Sequence, residues 1–208
     1  MKGQLIYLCF ITLFIMLPSV YAQIIPDFQV NESVSDTHQA LCAIAIDSSG
    51  NFVITWEDRH NSNSNIYAQR FSSDGTALGS NFKVNNNIES GDRDNPSISS
   101  DGDGNFVIAW DDYRDGDVSI YAQRYSSNGI AIGGNFKVTN TGYDPDVILL
   151  KGKIYTTWTD NRGNGTGYDI WANVLDWNDP TTGIDEKDIL KKPSIYRLSQ
   201  NYPNPFNP

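Results

Sequence analysis

The chain has 208 residues, of which 39% are hydrophobic, and its 25 acidic and 15 basic side chains give a formal net charge of −10. Nucleic acids and anionic membranes bind clustered Lys and Arg, so this acidic balance excludes both as expected partners. The length is sufficient for one packed domain plus shorter flanking segments.

Residues 1–22 have the pattern of a secretory signal peptide. Lys2 supplies a positive charge, residues 5–17 form an apolar core, and Val20-Tyr21-Ala22 is a small-residue cleavage site. A membrane anchor is the alternative, but the apolar run is shorter than the ~20 residues that a spanning helix needs. We therefore expect a secreted protein, or one at the outer membrane or cell surface of a bacterium.

Cleavage would remove Cys9 and leave Cys42 as the single cysteine, which cannot form an internal disulfide. Cys42 lies in the first strand of the first repeat described below. No histidine pattern accompanies it, so we expect a buried structural thiol. His38 and His60 are unrelated by the repeat and are expected on the surface.

Residues 23–178 contain one pattern repeated three times. The clearest markers are Trp56, Trp110 and Trp158, which are 54 and then 48 residues apart. A second marker, Ile-Tyr-Ala-Gln-Arg, begins at Ile66 and again at Ile120. Such self-similarity decides the architecture before any other feature.

Each repeat is predicted to form four short strands, A to D, with Gly-, Asn- and Asp-rich turns between them. In the middle copy these strands cover about residues 96–100, 105–111, 119–125 and 135–139. Strand B is apolar on both faces and should be buried on both sides, whereas strand D alternates like an edge strand. The sequence therefore predicts an all-β fold of β-propeller blades. A β-solenoid is the less favoured alternative, because its coils are usually shorter, at about 20–30 residues.

The C-terminal part changes character after the third repeat. Residues 179–197 are charged and contain Pro and Gly, which is typical of a linker. Residues 198–208, LSQNYPNPFNP, resemble the opening of the C-terminal sorting domain of type IX secretion substrates. That resemblance implies a small Ig-like β-sandwich, truncated here, and the type IX secretion machinery as a partner.

The repeats resemble the blades of sialidase-type propellers. Two features carry the resemblance: a W-x-D-x-R pattern at Trp110 to Arg114 and Trp158 to Arg162, and turns similar to Asp boxes at residues 72–75 and 126–129. The boxes lack their final aromatic residue and have Leu78 or Ile132 nearby instead. The resemblance implies the fold and leaves the activity open.

One arginine follows strand B in each repeat: Arg59, Arg114 and Arg162. They could form a rosette that grips a carboxylate ligand, as in sialidases. The favoured interpretation is that each pairs with an aspartate of its own repeat: Asp58, Asp112 and Asp160.

A row of aromatic residues also recurs at one repeat position: Tyr67, Tyr121 and Trp171. They could stack on sugars, but packing between blades is favoured, because a Tyr in a central strand is usually half buried. The six arginines and aromatics are the candidate ligand-binding residues.

No catalytic set can be assigned. A sialidase would need a Tyr and Glu nucleophile couple and an acidic Asp, and none of the four glutamates has such a context: Glu32, Glu57, Glu89 and Glu186. The main hypothesis is therefore a non-catalytic protein that presents a binding or adhesion surface. The alternative is a sialidase-like glycoside hydrolase acting on extracellular glycans.

Asp101, Asp103 and Asn105 alternate like the first ligands of a calcium loop. The glycine expected next is Phe106, and no glutamate closes the loop. We expect a tight turn that satisfies its own backbone, with neither a metal nor a cofactor.

The predicted strands do not divide evenly into three complete repeats. A copy of strand D begins at Phe28, before the first repeat, whereas the third repeat lacks its own strand D. Closed propellers have about 4–8 blades. Three blades are therefore expected to form either an open arc or, in a homodimer, a six-blade ring.

Overall fold

The computed structural model describes residues 25–32, 38–59, 63–86, 91–162 and 167–180. All the regular secondary structure within these ranges consists of β-strands. The first repeat forms β1 (Gln39–Ile46), β2 (Phe52–Asp58), β3 (Asn65–Phe71) and β4 (Phe82–Lys83). The second forms β5 (Arg93–Ser100), β6 (Phe106–Asp112), β7 (Ser119–Tyr125) and β8 (Ala131–Thr139). The third forms β9 (Tyr143–Leu150), β10 (Lys153–Asp160) and β11 (Asp169–Asp176).

The strands form three antiparallel sheets in which neighbours follow chain order: β1-β2-β3-β4, β5-β6-β7-β8 and β9-β10-β11. These sheets are three successive blades of a β-propeller, called blade 1, blade 2 and blade 3 below. The all-β, propeller-like prediction is confirmed. Most of the predicted linker, residues 179–197, and all of the predicted sorting-domain segment, residues 198–208, lie outside the described residues, and both stay predictions.

The first strand of every blade contains the same backbone irregularity. Leu41, Asn95 and Asp144 occupy equivalent positions with φ of 53°, 50° and 53°. The pairing register shifts at or near each of these residues. A bulge of this kind bends the strand and re-aims a side chain. Each blade therefore presents one left-handed residue at the same place.

Two apolar clusters hold the blades together. One lies between blades 1 and 2 and includes Val53, Ile66, Ile108 and Trp110. The other lies between blades 2 and 3 and includes Val107, Ala109, Ile120, Ile154 and Trp158. All seven residues of β6 are buried, which confirms that strand B of the middle repeat is covered on both faces.

The predicted burial of Cys42 is wrong, because its thiol is exposed. Cys42 lies on the face of β1 directed away from blade 2. Pro96, its counterpart 54 residues later, is buried because blade 1 covers that face of blade 2. The prediction failed because a repeat position specifies burial only where a neighbouring blade is present.

Residues 26–30 form no strand, although strand D was expected at Phe28. Among the described residues no strand C pairs with this segment to complete a ladder. The segment is nevertheless packed, with the Phe28 ring 5.3 Å from that of Phe71. His38 is exposed, as expected, and His60 is outside the described residues. Among the described segments, none forms a helix that is long and apolar enough to cross a membrane.

Candidate active site

Three aspartates lie close together at one end of blades 2 and 3, where the first strand of a blade begins and its second strand ends. Asp94 of β5 and Asp111 of β6 are direct cross-strand partners, so both lie at one end of blade 2. Asp144 of β9 joins them from blade 3. We call Asp94, Asp111 and Asp144 the acid cluster.

The acid cluster is connected by hydrogen bonds across blades. The Asn95 amide donates to Asp111 Oδ2 at 2.8 Å and to Asp144 Oδ1 at 2.9 Å. The backbone N–H of Asp144 donates to Asp111 Oδ1 at 3.0 Å. From blade 1, Ser64 Oγ donates to Asp94 Oδ1 at 2.6 Å. The cluster is thus built by all three blades.

Asp111 has an unusual ionisation. Its side chain is almost fully enclosed, at 1% exposure, and burial raises its pKa from 3.8 to about 7. The hydrogen bonds from Asn95 and Asp144 oppose this rise, whereas the negative charges of Asp144 and Asp94 add to it. A carboxyl group in this environment exchanges its proton near neutral pH.

Three tyrosines lie near the acid cluster: Tyr113, Tyr143 and Tyr168. Burial raises the pKa of Tyr113, and the charges of Asp111 and Asp94 raise it further, so this phenol lies beside the carboxylates. Tyr143 and Tyr168 pack edge to face with ring centroids 5.9 Å apart, and Tyr168 is 66% exposed. Aromatic rings beside a few polar groups are typical of ligand sites.

The ion pairs expected for two of the arginines are present. Arg114 donates from Nε and Nη2 to Asp112 at 2.8 and 2.5 Å. Burial alone would raise the pKa of Asp112, but hydrogen bonds from Arg114 and Trp110 hold it below its usual value. Arg162 donates to Asp160 Oδ2 from Nε at 2.5 Å.

The pairing expected between Arg59 and Asp58 is wrong, because Arg59 pairs with Glu57. In an extended strand, residues two apart share a face. Arg114 and Arg162 are each two residues after an aspartate, whereas Arg59 comes one residue early and is two residues after Glu57. Because Arg59 stands one residue earlier in its repeat, its partner is Glu57 rather than Asp58.

The recurrent aromatics lie against these arginines. The Arg114 guanidinium is 4.0 Å from the centre of the Tyr121 ring, and that of Arg162 is 4.8 Å from the Trp171 ring. In blade 1, Tyr67 instead stacks on Trp56. These aromatics are half buried, in agreement with packing roles. Ligand binding by these arginines and aromatics stays a prediction.

The turn at residues 101–105, which resembles a calcium loop, satisfies its own hydrogen bonds. Asp101 Oδ1 accepts from the backbone N–H groups of Asp103 and Asn105 at 3.0 and 2.9 Å. Asp47 makes the same contacts with Ser49 and Asn51 in blade 1. The side-chain oxygens are used by the turn, as the self-satisfied interpretation requires.

Sequence reasoning missed Asp94, Asp144 and the tyrosines beside them. The signal that could have identified them is the Asx-Pro step at Asn95-Pro96 and Asp144-Pro145, which the repeat aligns at the start of strand A. Asp111 was included in the W-x-D-x-R pattern, but its burial could not be read from that pattern.

Comparison with known proteins supports the fold. The chain matches no protein-family model, and no curated protein sequence matches it. Among solved structures it is similar to Zg3597, a family 117 glycoside hydrolase from Zobellia galactanivorans, with 14% identity, a TM-score of 0.50, and coverage of 73% of this chain and 56% of the other.

Two further solved structures resemble it at lower TM-scores. An endo-arabinase from Bacteroides thetaiotaomicron has 21% identity, a TM-score of 0.46 and coverage of 66% and 56%. The parainfluenza virus 5 hemagglutinin-neuraminidase has 11% identity, a TM-score of 0.47 and coverage of 65% and 35%. The chain thus spans little more than half the length of the bacterial enzymes, and at these identities the likeness concerns the fold alone.

Proposed function

We propose that this chain acts on extracellular glycans as a glycoside hydrolase, with the acid cluster as its site. The observation that carries the proposal is that two carboxyl groups in different environments, the half-buried Asp94 and the exposed Asp144, reach the surface on either side of the enclosed Asp111. Glycoside hydrolysis uses two carboxyl groups held in different environments, one as acid and one as base or nucleophile.

The geometry supports a division of roles. Asp144 is exposed and Asp94 is half buried, so both can contact a substrate. Asp111 is enclosed and holds the Asp144 backbone, while Asn95 links the two side chains. In this scheme Asp94 and Asp144 are the catalytic residues, and Asp111 is a positioning residue that acts through Asp144.

Electrostatics favours a neutral glycan over a sialoside. An acid cluster repels a carboxylate ligand. The guanidinium of Arg114 is 6% exposed and paired with Asp112, which leaves it unsuited to gripping a second carboxylate. The substrate class that fits is therefore a neutral polysaccharide whose rings can pack on Tyr143 and Tyr168.

The test is the release of reducing ends from a panel containing linear arabinan, other neutral polysaccharides and a fluorogenic sialoside. We expect the purified protein to act on a neutral glycan and to leave the sialoside intact. Because a positioned acid or base contributes about 10²–10⁴-fold, Asp144→Asn should lower turnover at least 100-fold without changing Tm. Asp103→Asn, an exposed change in a distant turn, is the matched control.

A non-catalytic binding or adhesion protein is the second candidate. The observation that favours it is that Asp111, whose carboxyl group exchanges its proton near neutral pH, is enclosed and therefore cannot itself donate that proton to a substrate. Glycan binding that Asp144→Asn weakens, without release of reducing ends by the wild-type protein, would support this candidate. Absence of both binding and turnover across the panel would overturn both.

We also propose export by residues 1–22 and delivery to the cell surface through the type IX machinery by residues 198–208. Both segments lie outside the described residues, and the support is the sequence pattern alone. N-terminal sequencing of the protein recovered from the producing bacterium should begin at Gln23. A protein that retains Met1 would contradict cleavage.

A further inference from the structure

Residues 28–32 lie against blade 1 as an outer strand of a preceding blade would. Asn81 Nδ2 donates to the Val30 carbonyl at 3.5 Å, and its Oδ1 accepts from the Glu32 N–H at 2.7 Å. The same bonds occur 54 residues later, where Asn135 contacts the Val84 carbonyl at 3.3 Å and the Asn86 N–H at 2.7 Å.

The aromatic contacts repeat as closely. The rings of Phe28 and Phe71 are 5.3 Å apart at 58°, and those of Phe82 and Tyr125 are 5.4 Å apart at 59°. Phe82 begins β4, the outer strand of blade 1. Phe28 therefore occupies the position of the first residue of an outer strand, and the blade to which that strand belongs is not one of the three described.

Among the described residues, blade 3 lacks an outer strand, whereas residues 28–31 occupy the position of an outer strand without a blade. Its described sheet consists of β9, β10 and β11 only, so β11 ends the sheet where blades 1 and 2 continue to a fourth strand. An unpaired strand edge is a template for another strand. Residues 28–31 have the sequence of that missing strand.

The end faces, which are the outer faces of blade 1 and blade 3, resemble the two surfaces that meet at the internal junctions between blades 1 and 2 and between blades 2 and 3. On blade 3, Ile170 is 77% exposed, although its counterpart Ile120 is fully buried against blade 3. On blade 1, Ile44 is 63% exposed, whereas its counterpart Ile98 is 8% exposed against blade 1. The outer face of blade 3 thus carries the apolar side chains that pack on the next blade at the internal junctions, and the outer face of blade 1 carries those that receive them. Within the described residues, neither outer face is covered.

We infer that two copies of this chain join head to tail into a six-blade ring, in which residues 28–31 of each copy complete blade 3 of the other. The packing of blade 3 on blade 1 of the partner would repeat the two internal junctions. Two copies of the three described blades give six, which is within the range of about 4–8 blades that closed propellers have. A head-to-tail contact that closes gives a discrete dimer rather than a filament. The ring does not depend on the proposed glycan activity.

The repeat also predicts the strand register across the copies. In blade 1, Phe82 lies opposite Ala68, and in blade 2, Phe136 lies opposite Ala122. The same register places Phe28 opposite Ala172 of the partner subunit. Directly opposed residues of an antiparallel pair have Cα atoms about 4.5–5.5 Å apart, which is within the range of Cα separations that a disulfide spans.

Light scattering coupled to size-exclusion chromatography is the first test. We expect the wild-type protein to be a dimer and both Ile44→Asp and Ile170→Asp to be monomers with unchanged circular dichroism. Ile130→Asp is the matched control, because Ile130 is as exposed as Ile44, at 63%, and lies in a turn away from both end faces. A monomeric wild type, or a dimer that only one of the two end-face changes disrupts, would overturn the head-to-tail ring.

Cross-linking gives a second test that does not require monomer formation. In a Cys42→Ser background, Phe28→Cys combined with Ala172→Cys should form a disulfide between copies on oxidation, visible as a dimer on a non-reducing gel. Phe28→Cys combined with Ile130→Cys should not. Equal dimer yield from both pairs, or none from the first, would contradict the predicted register.

Discussion

The ionisation of Asp111 makes stability depend on pH within a narrow window. The folded protein holds the Asp111 proton up to about pH 7, whereas an unfolded aspartate releases it near pH 4. Between these values the unfolded chain binds fewer protons, so the free energy of unfolding falls as pH rises. The contribution is complete below pH 4 and is lost as pH rises through 7.

The size of the effect follows from that window. One pKa unit corresponds to about 1.4 kcal/mol, so the loss from Asp111 between pH 5 and 8 should be on the order of 2–3 kcal/mol. The lowered pKa values of Asp112 and Asp160 place their titration below this interval, where stability is lost as pH falls. The decline between pH 5 and 8 is therefore attributed to Asp111.

Denaturant unfolding at pH 5, 6, 7 and 8 measures this directly. We expect the wild-type free energy of unfolding to decline with pH and the Asp111→Asn protein to show no such decline, because the amide keeps the shape and removes the ionisation. Asp103→Asn should retain the wild-type slope. An equal slope in Asp111→Asn, or no slope in the wild type, would refute the assignment.

Three further experiments test the packing by thermal or denaturant unfolding. Trp110→Ala should cost about 3–5 kcal/mol, as for a large buried aromatic, since its side chain is fully enclosed; a Tm within one or two degrees of wild type would contradict this. Arg114→Ala and Asp112→Ala should be strongly non-additive in a double-mutant cycle, because each removes the same ion pair; additive losses would not fit. Gly91→Ala should destabilise more than Gly116→Ala, since both have positive φ but a Cβ at Gly91 would lie 2.4 Å from a backbone oxygen, while Gly116 faces open space; equal losses would refute the close approach.

The fold was predictable because the repeat supplies three independent copies of each strand. The recurrent tryptophans, the apolar second strand and the glycine-containing turns all indicate the same four-stranded blade. The burial of Cys42 and the partner of Arg59 were predicted wrongly for one reason. A repeat position has the same environment only where the neighbouring blade and the residue spacing are also repeated.

The candidate site was harder to predict because it combines residues from different blades. Asp111 and Asp144 lie on different blades and far apart in sequence, and the Asn95 amide bridges their carboxylates. Burial raises the pKa of Asp111, and its carboxyl group is contacted by the Asp144 backbone of the neighbouring blade. A single sequence shows the repeat unit but not the junction at which these carboxyl groups meet.

A crystal structure of the protein soaked with the neutral oligosaccharide that it binds most tightly is the most direct test of the site. We predict sugar density beside Asp94 and Asp144, with a ring packed on Tyr143 or Tyr168. Density on the arginine and aromatic rows around Arg59 and Tyr67, with the acid cluster unoccupied, would contradict the account.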